Sequence, residues 1–182
     1  MDVQTVVANT LTFNTNTFVH PALQGLSDAD LLKRPSEACN PIGWLLWHQT
    51  RVEDVMLSRI SGRPQTWVAD KWHEQFGMPA EPHDAGVGHS LEQVMAFQPT
   101  IAALQGYAAA VRDKTLAVLN LLTPADLERE IPFPTGGTRT VGDFLGILMI
   151  DQFHHSGQIA YVRGYVTGKG WLTIEACVPW GA

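Results

Sequence analysis

Four stretches of this chain, residues 3–19, 41–61, 99–122 and 140–166, carry apolar side chains at three- and four-residue intervals. That period builds amphipathic α-helices. In the first stretch Val7, Leu11 and Phe18 recur among Asn and Thr. Those polar residues are weak helix formers, so packing must hold the helix, and Pro21 is expected to end it. The second opens on Asn40 as N-cap with Pro41 at the first helical position and closes on Gly62. Its stripe is Leu45, His48, Val52, Val55 and Arg59. The third presents Ile101, Leu104, Tyr107, Ala108, Val111, Thr115, Val118 and Leu122. The fourth has Thr140 as its cap and Asp143 at the favourable end of the helix dipole. Phe144, Ile147, Leu148, Asp151, His155, Ile159 and Val162 form its stripe, and Gly168 and Gly170 end it. Four such helices with one long connection pack as a four-helix bundle. The expected fold class is therefore all-α, one bundle domain over residues 1–182, with a long irregular insert between the second and third helices.

The insert covers residues 62–90 and is punctuated by Pro64, Gly77, Pro79, Pro82, Gly86 and Gly88. A short helix is expected around residues 68–76. Ser90 begins SLEQ, which has the form of a capping box. Thr123 opens a helical turn over PADLER, and IPFPTGGTRT reads as a loop with a turn at Gly136 and Gly137. No strong strand series is present, and residues from Trp171 onward look extended or irregular.

A length of 182 residues suits one domain. With 45% hydrophobic and 16% charged residues the chain is globular rather than disordered. Its formal charge of −6 gives no general attraction to nucleic acid. No run of about eighteen apolar residues marks a membrane span. Cys39 and Cys177 are too few and too far apart for a disulfide framework or a cysteine zinc site and are read as free thiols. The N-terminus lacks the pattern of a signal peptide. The expectation is a cytoplasmic protein with a small-molecule substrate, no nucleic-acid partner and no membrane partner.

Three polar residues interrupt the apolar stripes. Asp151 and His155 are four apart and share one helix face, and His48 can approach them from the second helix. A buried carboxylate without a partner costs several kcal/mol, on the order of the desolvation terms for charges. Two arrangements remove that penalty. One is a divalent metal held by His48, Asp151 and His155, a donor set that suits zinc and also nickel, iron or manganese, with at least one coordination position open. The other is a satisfied core hydrogen-bond network between Asp151 and the histidines. The residues alone leave both open. His154 points about one residue's rotation away and reads as structural or solvent-facing. His73, His83 and His89 lie in the insert, where loop packing is their default role.

The segments PIGWLLWHQTRVEDVM (residues 41–56) and DQFHHSGQIAYVRGY (residues 151–165) resemble the two signature helices of the DinB/YfiT-like metalloenzyme superfamily. More narrowly, they resemble its actinobacterial branch grouped with mycothiol-dependent S-transferases. KWHEQFGMP and GHSLEQV extend the resemblance through the insert. It implies a bundle that binds a divalent ion through one His on the second helix, matching His48, and two His spaced four apart on the last. The later of these matches His155 and the earlier falls on Asp151, a departure shared with the Asp-x-x-x-His variant of that branch. It also implies a low-molecular-weight thiol, mycothiol or bacillithiol, as cosubstrate.

On that basis the expected activity is thiol transfer to a small electrophile. Metal-assisted hydrolysis, with Glu53 as a candidate base, and a non-enzymatic metal- or ligand-binding stress protein are the alternatives. Around the metal, Trp44 and Trp47 wall the cavity or pack the core. Gln158 orients His155 or is solvated on the helix surface. Arg51 and Arg163 meet a carboxylate of substrate or thiol, or pair with Glu53 or Asp54. Trp67, Trp72 and Phe76 form a lid or a satellite cluster. Pairing of two copies through a helix face, as a homodimer, is the expected assembly.

Overall fold

The computed structural model describes residues 2–133 and 136–168. Trp171, Cys177 and the end of the chain lie outside the described residues. In chain order the helices are α1 (Val3–Asn14), a π-helical turn (Thr15–Val19), α2 (His20–Leu23), a 3₁₀ turn (Asp30–Leu32), α3 (Ile42–Ser61), α4 (Thr66–Ala69), α5 (Trp72–Gln75), α6 (Leu91–Ala96), α7 (Ile101–Leu119), α8 (Pro124–Leu127) and α9 (Val141–Thr167). Among the described residues the fold is all-α apart from one short hairpin. α1, α3, α7 and α9 are the four long helices, and α3 packs against both α7 and α9.

Several local expectations are corrected. Pro21 does not end the first helix, which runs on through α2 to Leu23. The π-turn accommodates the proline: the His20 N–H reaches back five residues to the Thr15 carbonyl, and Pro21 then sits in the first turn of α2, where a missing N–H costs little. α3 starts one residue later than expected, with Pro41 rather than Asn40 at its N-cap. The single short helix expected near residues 68–76 is two, α4 and α5, separated by Lys71 in the left-handed region at φ 57°. The IPFPTGGTRT loop holds an antiparallel pair, Glu130–Pro132 against Thr138–Thr140. The capping box expected at Ser90 forms, and Thr123 and Thr140, read as the openings of their helices, also form capping boxes.

The predicted stripe on α3 is also too narrow. Every residue from Ile42 to Arg51 is buried, as are Glu53 and Asp54, while Val52 and Val55 are only partly so. α3 is the axis around which the other helices pack, so no face of its first half is free to be polar. Its charged side chains there find partners inside the protein instead. Asp54 accepts from the Thr66 and Trp67 amides (both 2.8 Å), capping α4, and from the Tyr107 hydroxyl (2.9 Å). Glu53 takes a two-point contact from Arg112 (2.9 and 2.8 Å) and a hydrogen bond from Thr115 (2.6 Å).

A buried amide exchange sets the register of α3 on α9. The Gln152 side chain donates to the Gln49 carbonyl (2.9 Å), and Gln49 Nε2 donates back to Gln152 Oε1 (2.8 Å). Ser156 joins α1 to this contact by accepting from Asn14 Nδ2 (2.9 Å).

Arg51 is fully buried and fastens the insert. Its Nε donates to the Asp84 carbonyl (2.9 Å), its Nη2 to Gln65 Oε1 (3.0 Å) and the Pro82 carbonyl (3.1 Å), and its Nη1 lies 3.4 Å from Asp54. The guanidinium also stacks over Trp67 at 4.8 Å. Removing one member of a buried ion pair typically costs about 3–5 kcal/mol. Arg51→Ala is therefore expected to lower unfolding stability in urea by about that much, with limited proteolysis cutting first within residues 79–86. An Arg51→Ala protein as stable as wild type and equally resistant in that segment would contradict this role.

Candidate metal centre

His48 sits in the middle of α3, and Asp151 and His155 lie one turn apart on α9. The Gln49–Gln152 contact places the residue following His48 beside the residue following Asp151, so the register brings the three together. One donor atom from each lies within 4.8 Å of the others. His155 Nε2 is 3.4 Å from Asp151 Oδ1, and His48 Nε2 is 4.0 Å from the same oxygen. The rings of His48 and His155 meet edge to face with centroids 4.6 Å apart.

The opposite nitrogen of each ring is engaged elsewhere. His48 Nδ1 bonds the Ala85 carbonyl in the insert. A carbonyl can only accept, so Nδ1 carries the proton and Nε2 keeps its lone pair for the centre. His155 Nδ1 donates to Gln158 Oε1 (2.7 Å), leaving its Nε2 in the same state. Gln158 Nε2 meets His154 Nε2 at 3.2 Å, an orientation that holds the amide oxygen toward His155. Such outer partners commonly fix the tautomer of metal-bound histidines. Asp151 Oδ2 is buried without a hydrogen-bond partner. Two Nε2 lone pairs and a carboxylate with an unmet oxygen fit a divalent ion, and the donor types suit zinc or a neighbouring transition metal.

Around the centre, Trp44 stacks flat on His48 (centroids 4.9 Å, interplanar 6°). Its Nε1 donates to His89 Nδ1 (3.3 Å), while His89 Nε2 donates to Asp84 Oδ1 (2.9 Å). His89 also stacks on Trp47 (5.7 Å, 19°). The insert comes this close because Gly86, at φ +85°, has no side chain: a Cβ there would lie 2.6 Å from Trp44 and 2.8 Å from Trp47. A groove of about 540 Å³ opens beside Gln158, walled in part by Cys39, Leu45, Tyr161 and Val162.

Of the residues named from the sequence, Trp44 and Gln158 lie next to the His48, Asp151 and His155 group. Arg51 is instead occupied by the insert, and Arg163 donates through Nη2 to the Gln24 carbonyl (2.9 Å). Glu53 faces Arg112 and Thr115. Trp67, Trp72 and Phe76 gather around Tyr107, at centroid distances of 5.4, 5.7 and 5.9 Å, as part of the core. The Ala85 carbonyl and the Asp84–His89 pair were not singled out from the sequence. GHSLEQV marked the neighbourhood of His89, but nothing in the residue pattern says that a backbone carbonyl in a loop meets His48.

A long-helix bundle with a two-His, one-Asp group between its helices defines a class of metal-associated bundle proteins. Residues 16–159 match the DinB superfamily, and the chain belongs to it. It is similar to the solved structure of a conserved protein from Enterococcus faecalis, with a TM-score of 0.81 and 25% identity. That similarity covers 93% of this chain and 99% of the other. No curated protein matches the chain. Among the described residues no helix is long and apolar enough to cross a membrane.

Without metal the two histidines should titrate apart. Burial lowers the pKa of His48 below its ordinary 6.5, and its bond to Ala85 only partly offsets this. Burial also pushes His155 down, but its hydrogen bond and charge contact with Asp151 outweigh that and raise it above 6.5. His155 thus adds stability below pH 6.5 that is lost as the pH rises through its raised value, whereas His48 adds stability above 6.5 that is lost as the pH falls through its lowered value. An NMR titration of metal-free protein should place His155 above His48, and Asp151→Asn should lower His155. An unchanged His155 titration in that variant would contradict the assignment.

Proposed function

We propose that this protein is a divalent-metal-dependent S-transferase that joins a low-molecular-weight thiol of the mycothiol type to a small electrophile. The observation that carries this reading is the paired presentation of two Nε2 lone pairs beside a carboxylate with an unpartnered oxygen. His48, Asp151 and His155 would hold the ion, zinc in the first instance and nickel, iron or manganese as alternatives. Three protein donors leave room for a fourth ligand, the arrangement typical of catalytic rather than structural sites. A metal bound there supplies positive charge that favours thiolate over thiol, and the thiolate is the reactive form.

The chain's own residues do the rest. Ala85 and Gln158 fix the two imidazoles. Trp44, backed by His89, closes one side against water. The groove beside Gln158 offers an apolar wall for an electrophile. The thiol loses its proton, its sulfur bonds to the electrophilic carbon, and either a leaving group departs or an activated double bond takes up a proton. Cys39 lines that groove but is not needed as the nucleophile, which the thiol supplies. Metal-assisted hydrolysis has less support, because Glu53 is tied to Arg112 and Thr115.

The test is spectroscopic. Protein reconstituted with Co²⁺ should develop a sulfur-to-cobalt charge-transfer absorption on titration with mycothiol or a cysteine-based analogue, and it should conjugate 1-chloro-2,4-dinitrobenzene only when thiol is present. Turnover of ester or amide substrates without thiol would favour the hydrolase. Absence of both thiol binding and turnover in the metal-loaded protein would leave a metal-binding module.

A further inference from the structure

The solvent side of α9 differs from that of α7. Between residues 146 and 165 the exposed residues of α9 are Ile150, Phe153, His154, Gly157, Tyr161 and Tyr165. None is Asp, Glu, Lys or Arg, and the four large ones are 41–74% exposed. On α7 the exposed residues Ala102, Gln105, Ala109, Asp113 and Ala117 are small or polar. Residues at such intervals share one helix face, so α9 carries an apolar ridge about 30 Å long on its outer side. A single surface hydrophobe is ordinary, but a contiguous patch marks an interaction surface. Two glycines point the same way. A Cβ at Gly146 or Gly157 would meet nothing within 4 Å. Glycine is the poorest helix former short of proline, and packing within the chain calls for it at neither place. The missing side chains leave room for a group from outside the chain to come close.

The ridge is matched to itself. Gly146, Ile150, His154, Gly157, Tyr161 and Tyr165 follow one another at intervals of four, four, three, four and four residues. That series reads the same in both directions. An antiparallel copy therefore keeps it in register about a two-fold axis, the commonest symmetry of soluble homo-oligomers. The axis falls between His154 and Gly157. Gly146 then faces the partner's Tyr165, Ile150 faces the partner's Tyr161, and His154 faces the partner's Gly157, so each glycine receives a ring. The charge pattern agrees with a second copy as the occupant. The chain carries a formal charge of −6, and this ridge brings no like charges face to face. A different protein drawn to an acidic chain would meet acidic side chains, which the ridge lacks.

We propose that two copies of this chain pair through this ridge, α9 against α9 and antiparallel, and that the pairing roofs the groove beside the candidate metal centre. His154, Gly157 and Tyr161 belong both to the ridge and to the lining of that groove, which also includes Gln158, the partner of His155. The groove is thus completed by the second copy. The pairing does not rest on the proposed transferase chemistry. One helix face offers an area near the low end for stable interfaces, so the expected dissociation constant is micromolar.

The experiment is sedimentation velocity of the full chain over micromolar concentrations, with Cys177→Ser throughout so that Cys39 is the only thiol. The expected result is reversible dimerisation. Ile150→Asp, which buries a charge against the partner's Tyr161, should weaken it about a hundredfold. Gly157→Leu should weaken it as well, because the added side chain takes the space of the partner's His154, whereas unspecific apolar association would be strengthened. Ala117→Glu on the solvent side of α7 should leave pairing unchanged. Circular dichroism verifies that each variant keeps its helices. Cys39 lines the same groove, so a thiol-specific reagent should modify it several-fold more slowly in the dimer than in the Ile150→Asp protein. A chain that stays monomeric would overturn the proposal and leave the ridge to residues 169–182 or to a different protein. A dimer that survives Ile150→Asp, or that tightens with Gly157→Leu, would overturn it too. Equal reactivity of Cys39 in both forms would overturn the roofing of the groove.

Discussion

The meeting of His48, Asp151 and His155 depends on the register of two helices, and that register rests on a buried amide exchange. Gln49 and Gln152 each donate to the other residue, and both are almost fully enclosed. Sliding α3 along α9 by one turn would leave these amides unpaired in a dry contact, at a cost of about 1–3 kcal/mol per group. The same slide would move His48 one turn away from Asp151 and His155. Apolar packing alone is permissive about such slides, because one leucine contact substitutes for another. The amides make one register preferred, and Ser156 with Asn14 extends the constraint to α1.

A second consequence follows from the central position of α3. The first half of α3 is buried on every side and cannot solvate its charged residues, so these find partners inside. Arg51 and Asp54 use the insert for this, and Glu53 uses α7. The insert is thereby held against the bundle by Arg51, and once held it delivers the Ala85 carbonyl to His48 and Asp84 to His89. Fold stability and the shaping of the metal centre thus share one helix, with the insert as their connection.

This explains what was legible in the sequence. The long helices α7 and α9 have a solvent side, and their periods were readable, as were the Thr140 cap of α9 and the three residues of the candidate metal-binding group, which interrupt apolar stripes. The first half of α3 lacks a solvent side, so its stripe was drawn too narrow and the buried roles of Gln49, Thr50 and Glu53 did not register. Gln152 and Ser156, not Ile147, complete the buried face of α9. Pro21 was read as a stop because helix-ending rules assume an ordinary α-helical turn before the proline. The insert's contacts run through backbone carbonyls, which carry no sequence signal. Of the two roles weighed for Arg51, pairing with Asp54 is present at 3.4 Å, and its remaining donors go to the insert, to Gln65 and to Tyr107.

The central claim is that His48, Asp151 and His155 hold one divalent ion. Elemental analysis of protein purified without a metal-affinity tag, for wild type, His48→Ala and Asp151→Ala, tests it most directly. The account predicts about one ion per chain in the wild type and loss of that ion in both variants while the helical fold is retained. Wild-type protein that stays metal-free after exposure to zinc, nickel, iron and manganese would contradict it, and the three side chains would then be a buried hydrogen-bond network.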